Sequence, residues 1–339
     1  MLSKITVSPS PHVSANLSTR RVMGDVLIGL VPAMIAAGVF FRGRALAVIA
    51  VCVAACVVSE WLCNKIRKQP ASIGDLSAVV TGVILGMSLP PAAPFSVAVI
   101  GGVFAIVVAK MVFGGLGSNI FNPAMAARAF LTASFGAAMT TWTVPATVNP
   151  ELLTISAANT SATTQATPLA WSKMIQKGQV EPKEITSINR QAEWAFWGEV
   201  GGCLGETSAL ALLIGGAYLL IRKTITWHIP FAVLASAAAV AIIAWLLKPD
   251  AMANPLLHLT SGSLLICAFF IATDPVTAPL PNKGMLIFGA GVGVLIMLIR
   301  LLGEYPEGVM YAVLIMNAVS PLIDRMCKLT PAGGVPNVN

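Results

Sequence analysis

Long apolar runs alternate with short polar breaks along nearly the whole chain. The runs lie at roughly 23–41, 45–63, 73–89, 95–113 and 123–139, and resume at 199–221, 229–247, 256–273, 284–302 and 307–324. Each is near the ~20 residues that span a bilayer as a helix, with several short ones. The pattern predicts an all-α polytopic membrane protein with about ten transmembrane helices. In each half the third run is short and ends in proline, at Pro90 and at Pro275, and a helix-starting proline follows, Pro123 and Pro306. An odd number of spans per half turns the second half over. The expected plan is therefore two inverted five-helix repeats with short or broken helices, a plan in which sites form where broken helices meet.

The polar segments set the expected boundaries. A cytoplasmic N-terminal arm covers 1–22 and the first five-helix repeat 23–139. An extracytoplasmic loop covers 140–198, the second repeat 199–325, and a cytoplasmic tail 326–339. The loop has the densest polar composition, is rich in Ser and Thr between Thr154 and Thr167, and is too long for a simple connector.

Composition agrees with the pattern. Of 339 residues, 56% are hydrophobic and only 10% charged, against about 25% in soluble domains. The net charge of +7 is then a topology signal, and no nucleic-acid-binding motif accompanies it. With the N-terminus inside, twelve Lys/Arg fall on inner segments, including Arg20, Arg21, Lys65, Arg67 and Lys110, against four on short outer loops: Arg42, Arg44, Lys248 and Arg300. Both termini are expected to be cytoplasmic, with Trp142, Trp194 and Trp197 at the interface beside the loop. The polar first residues predict no cleavable signal peptide. Six cysteines include no CxxC, and no HExxH occurs. Cys52, Cys56 and Cys63 share a helical face, a spacing that suits either metal or packing, and packing is the commoner use.

The main polar break inside the apolar pattern is Gly114-Gly115-Leu116-Gly117-Ser118-Asn119-Ile120-Phe121-Asn122-Pro123. Asn122 before Pro123 reads as a helix start, with Asn capping and Pro at the first helical position. The glycines allow close backbone approach. Asn119 and Asn122, three apart, are placed to turn both amides toward one ligand. Charges within spans suggest function. Arg128 and Glu206 sit inside runs and suit a structural ion pair as well as a site. Asp274, in Thr273-Asp274-Pro275, ends a short half-helix whose carbonyls and carboxylate suit a cation or a flavin N–H, or form a plain Asp-Pro turn. Asp25 lies near an inner span end. Glu60 and Asp75 read as ordinary span-end charges.

Taken in order, several motifs resemble the family of membrane flavoproteins that includes RnfD, of the Rnf electron-transport complex, and NqrB, of the sodium-pumping NADH:quinone reductase. They are Ser8-Pro9-Ser10-Pro11-His12, Gly117-Ser118-Asn119-Ile120-Phe121-Asn122-Pro123-Ala124, Ala127-Arg128-Ala129-Phe130, Ala166-Thr167-Pro168-Leu169-Ala170, Gly205-Glu206-Thr207-Ser208 and Thr273-Asp274-Pro275-Val276. The resemblance implies a covalent FMN, phosphothreonyl-linked at Thr167 within Thr164-Gln165-Ala166-Thr167. Gln165 stands where glycine is usual, and Ser161 roughly where an acidic residue is. An exposed hydroxyl on a flexible loop is expected to reach a flavin transferase. The resemblance also implies a riboflavin near Asn119 and Asn122. Arg128, Glu206, Thr207 and Asp274 are further cofactor-binding candidates, and Asp25, Glu206 and Asp274 candidates for ion coupling.

The implied protein is a translocase subunit in a bacterial cytoplasmic (inner) membrane. It relays electrons between ferredoxin and NAD with coupled Na⁺ or H⁺ transport. The implied partners are iron–sulfur, NADH-binding, second FMN-carrying and small membrane subunits, besides membrane lipid. The chain has no NAD fingerprint or iron–sulfur motif, so electrons must enter and leave through such partners. The short N-terminal arm favours the RnfD branch over an NqrB-like quinone role. A flavin-free channel or carrier on the same plan, or a scaffold subunit, is the alternative.

Overall fold

The computed structural model describes residues 18–70, 72–143, 167–178, 192–249 and 252–327. The expected motif at Ser8–His12, the positions Ser161 and Thr164–Ala166, and the tail from 328 lie outside the described residues. Those described are helical, with no strand among them.

Helix α1 (Thr19–Ile66) starts at Ser18, whose side chain accepts from the Arg21 N–H, and is broken at Arg42, where φ is 60° and ψ −156°. The break separates the first two apolar runs at the boundary that their hydropathy predicts. Each arm buries one stripe: Leu30, Ala33, Ala37 and Phe41 on the first, Ala45, Val48, Ile49, Cys52 and Cys56 on the second. These spacings of three and four are one helical face. Ile28, Val31, Ile35 and Val39 are exposed on the other side, as lipid contact requires.

Helix α2 (Ser77–Met87) is short and buried almost throughout. It lies against the second arm of α1 through glycine: a Cβ on Gly82 would meet Val53 Cα at 2.6 Å. Small residues are what let membrane helices approach this closely. Helix α3 (Phe95–Val103) continues in π-helical turns through Phe104–Met111. Gly114, Gly115 and Gly117 then take φ of 124°, 105° and 92°, values that glycine adopts without a steric penalty. They turn the chain into α4 (Pro123–Ser134), and α5 (Gly136–Met139) follows. The fifth apolar run is thus a broken pair of short helices.

Helices α6 (Pro168–Gln176) and α7 (192–197) belong to the polar insert. After a 3₁₀ turn at Leu204–Glu206 come α8 (Ala209–Ile221) and α9 (His228–Leu247). The eighth apolar run is split: α10 (Pro255–Thr260), a break at Ser261–Ser263, then α11 (Leu264–Ile266) running into π-helical Cys267–Ile271. Helices α12 (Asn282–Leu302) and α13 (Val309–Met326) end the fold.

Among the described residues, four helices are long and apolar enough to cross a membrane: α1, α9, α12 and α13. Helix α2, the α3 stretch and α8 are apolar but shorter. Pro306 does not start a helix, contrary to expectation; α13 begins at Val309 behind Gly308, because the loop is held inward by Glu307. Lys110 and Arg300 are not loop charges, being 2% and 3% exposed. Each leaves the topology tally on its own side, and the bias keeps its direction.

Backbone crossings and hydrogen bonds tie the halves together. Helices α1 and α8 cross backbone to backbone, where a Cβ on Gly215 would fall 1.9 Å from the Gly29 carbonyl oxygen. The Asn122 N–H donates to Asn317 Oδ1 at 3.0 Å, joining α4 to α13.

Candidate functional site

Two buried polar centres occupy opposite ends of the same pair of half-helices. Helix α4 starts at the first and carries Arg128 to the second, about 9 Å further along its axis. The α11 segment runs the other way, from Ser263 to Phe270 and Thr273.

The first centre is a cavity of about 720 Å³ of empty space including its mouth. Its apolar wall includes Val22, Met23, Val26, Val80, Ile84 and Phe270; its polar lining is Ser77, Thr81, Lys110, Asn119, Asn122, Thr224, Thr273 and Asp274. The break predicted to hold a ligand and the half-helix end at Asp274 therefore do meet. Asn122 caps α4, its Oδ1 accepting from the Ala124 and Met125 N–H groups at 3.1 and 3.2 Å. Asn119 donates from Nδ2 to the Phe121 carbonyl at 3.1 Å. Its buried Oδ1 has no partner among the described residues. An unpaired buried acceptor is costly, so this oxygen calls for a donor on a ligand or water. Asp274 accepts from the Val276 N–H and the Thr277 hydroxyl at 3.2 and 3.1 Å. The turn reading of Asp274 and its place on the cavity wall both hold.

Asp25 lies behind this cavity. It accepts from Tyr218, Thr224 and Arg222 at 3.2, 3.1 and 3.4 Å, and so fixes Thr224, part of the cavity wall, to α1. Asp75 accepts from the Ser77 N–H and hydroxyl. Glu60 corrects the span-end reading. It is 1% exposed and pairs with Lys110 at 2.7 Å. A sequence window shows Glu60 and Lys110 as isolated charges fifty residues apart, and nothing in it pairs them.

The second centre is a buried cluster of charges. Arg128 donates to Glu307 at 2.8 Å and lies 3.5 Å from Glu206. Arg300 reaches Glu307 at 3.4 Å. The Ser263 hydroxyl contacts both carboxylates. The structural pair expected of Arg128 and Glu206 is present, but Glu307 is the closer partner. Sequence reasoning missed Glu307, Arg300, Ser263 and Gly262. Glu307 sits in Gly303-Glu304-Tyr305-Pro306-Glu307-Gly308, which reads as a polar turn. Gly262, at φ +74°, has no room for a side chain: a Cβ would stand 2.4 Å from Glu307 Oε1.

Thr167 borders this cluster across a narrow cleft that also touches Trp142, Val200, Glu206, Gly262 and Glu307. The expectation of an exposed hydroxyl is corrected. Thr167 is 8% exposed, and its Oγ1 accepts from the Ala170 N–H at 3.2 Å as the N-cap of α6. The Thr167-Pro168 pair is a helix start, and the packing of that helix buries it. Further along α6, Lys173 donates to the Tyr305 carbonyl at 2.8 Å. Burial lowers its pKa, the neighbouring Lys177 charge lowers it further, and Glu304 opposes both. Thr207 lines neither centre; its hydroxyl donates to the Leu204 carbonyl at 3.0 Å. Cys52 and Cys56 donate to the Ala98 and Gly102 carbonyls, and no metal-holding group of side chains occurs among the described residues.

Residues 6–333 match the model of the NQR2, RnfD, RnfE family. The chain belongs to that family. It is 43% identical over 327 residues to the D-type subunit of the Na(+)-translocating ferredoxin:NAD(+) oxidoreductase complex of Acetobacterium woodii, covering 96% of this chain and 94% of the relative. It is 42% identical to the D-type subunit of the proton-translocating ferredoxin:NAD(+) oxidoreductase complex of Clostridium ljungdahlii, covering 95% and 94%. The D-type subunit of the ion-translocating oxidoreductase complex of Yersinia pseudotuberculosis is 39% identical, covering 94% and 95%. The resemblance drawn from the motifs thus extends over nearly the whole chain.

Proposed function

We propose that this chain is the D-type membrane subunit of an ion-translocating ferredoxin:NAD oxidoreductase. In this reading it relays electrons through an FMN bound covalently at Thr167 and a riboflavin in the cavity at Asn119. One observation carries the role: relatives named as D-type subunits match 94% to 96% of this chain. The other subunits of such a complex supply the iron–sulfur and nicotinamide chemistry.

The residues present suit both flavins. The cavity has the mix of apolar wall and few polar groups that small-molecule sites show. The free Asn119 Oδ1 is an acceptor for the imide N–H of an isoalloxazine. Lys110 is already neutralised by Glu60, and Asp274 adds a carboxylate, so no spare cation awaits a phosphate. That balance favours riboflavin over a nucleotide there. At Thr167 the described lining of the cleft holds Glu206 and Glu307 and no cation, and the helix end is what favours a phosphate. A phosphoester on the N-cap oxygen sits at a helix N-terminus, where free N–H groups and the dipole stabilise negative charge. Flavin supplies the one- and two-electron chemistry, and the protein supplies position and electrostatics. The Glu206, Glu307, Arg128 and Arg300 cluster holds the floor of the Thr167 cleft rigid.

The same reading gives the chain about ten spans in two inverted repeats, multi-pass in the bacterial inner membrane with both termini cytoplasmic. It is supported by the Gly29–Gly215 crossing and the Asn122–Asn317 bond, each of which joins helices at corresponding places in the two halves. The test is mass spectrometry of the Thr167 peptide, together with flavin release from the purified complex. A bare Thr167 peptide and no released flavin, from cells that flavinylate other proteins, would leave a colourless carrier as the better reading.

A further inference from the structure

A continuous hydrogen-bonded chain leads from the cavity to a surface loop, and the electron-relay reading leaves it unused. Lys110 lines the cavity. Its Nζ donates to Ser77 Oγ at 2.6 Å and to Glu60 Oε2 at 2.7 Å. Glu60 Oε1 accepts from the Ser72 hydroxyl. Ser72 Oγ in turn accepts from Asn64 Nδ2 at 2.8 Å. Ser72 is half-buried, in the loop that follows α1, where Lys68, Gln69 and Pro70 are exposed.

Three features set this pair apart from structural filler. An ion pair at this depth is no more stable than well-packed apolar residues of the same volume, so stability alone does not require it. Lys110 stands in the π-helical stretch Phe104–Met111, a feature frequent at functional sites. One end of the chain opens on the cavity lined by Asn119, Asn122 and Asp274, and the other on the loop with exposed Lys68, Gln69 and Pro70. The surrounding titratable and charged groups are Asp75, which holds Ser77; Cys56, beside both partners; Arg67, bonded to the Met111 carbonyl; and Asp274 across the cavity.

We propose that Lys110, Glu60 and Ser72 form a proton relay that feeds the cavity; the proposal rests on the cavity being a flavin site. For each electron delivered by the other redox carriers of the complex, Lys110 Nζ gives one proton to the bound group. Loop water then supplies a proton through the Ser72 hydroxyl to Glu60 Oε1. After a half-turn of its carboxyl, Glu60 passes that proton to the Lys110 amine. The chain returns to its starting state, with one electron and one proton added in the cavity and one proton drawn from the loop side. Asn64 and Ser77 position the relay and carry no proton.

The test uses the purified complex in wild-type form and as Lys110→Met, Lys110→Met with Glu60→Gln, and Ser72→Ala. Non-covalent flavin is quantified after release, and its reduction by dithionite is followed in H₂O and D₂O. Wild type should hold the flavin and show slower reduction in D₂O. Lys110→Met and the double variant should keep the flavin, reduce it roughly 10²-fold more slowly, as loss of a positioned proton donor does, and lose the D₂O effect. Ser72→Ala, at the loop, should slow reduction while the complex keeps its flavin and its wild-type melting temperature. Unchanged rates in Ser72→Ala, or in Lys110→Met with flavin bound, would overturn the relay and leave the flavin reading standing. Wild-type complex without releasable flavin would overturn both.

Discussion

Replacing Arg128 with Met should unbalance the buried cluster and destabilise the protein by about 3–5 kcal/mol, the usual effect of stranding one member of a buried ion pair. Arg128 and Arg300 lie against Glu206 and Glu307 in the native fold. Without Arg128, two carboxylates share one guanidinium. Arg300 bonds Glu307 at 3.4 Å, so Glu206 keeps only neutral donors, the Ser263 hydroxyl and the Cys203 N–H. At a separation near 3.5 Å an effective dielectric of about 20 gives roughly 5 kcal/mol for the lost attraction, which agrees with the empirical range. The second change Glu206→Gln removes the surplus carboxylate and should recover most of the loss. Thermal melting of the detergent-solubilised complex, read by tryptophan fluorescence, compares the three proteins. A single variant that melts like wild type, or a double variant no better than the single, would refute this account of the cluster.

Thr167→Ala should abolish covalent flavin and remove a helix cap worth about 0.5–2 kcal/mol, whereas Thr167→Ser keeps both a cap and a hydroxyl; in-gel fluorescence and melting separate the two effects. Asn119→Leu should deplete the non-covalent flavin while leaving the Thr167-linked flavin in place, as acid release against in-gel fluorescence will show. Gly215→Ala places a methyl on the Gly29 carbonyl and should sharply lower membrane accumulation, judged by immunoblot, while Gly24→Ala, with nothing within 4 Å of its added Cβ, serves as the control. Gly262→Ala combines left-handed strain of about 1–3 kcal/mol with a clash against Glu307, and should lower the melting temperature without removing Thr167-linked flavin.

Local rules carried the sequence a long way. The hydrophobic runs anticipated the break at Arg42, the short α2 and the turn at Asp274. The Asn-Pro pair anticipated the cap of α4, because capping chemistry lies within three residues of itself. The gathering of Asn119, Asn122 and Asp274 was legible only through the match in layout between the two halves. What stayed hidden depends on contacts across long separations. Lys110 looked like a loop charge because it stands near the end of its run and its partner Glu60 lies fifty residues away. Glu307 looked like a surface turn because its partners Arg128, Arg300 and Ser263 come from three other segments. Thr167 looked exposed because a Ser/Thr-rich stretch precedes it, and only the packing of α6 against the cluster buries it.

The wide turns from Phe104 to Met111 act as a phase setting for the end of their helix. Closing those turns into ordinary α-helical bonds with no residue removed would break that setting. Each wide turn lost would swing every later side chain by about 100°, taking the Lys110 ammonium away from Glu60. Substitutions that favour ordinary α-helical turns there, silent on a hydropathy plot, would thereby strand a carboxylate and blind the cavity to its only ammonium among the described lining residues.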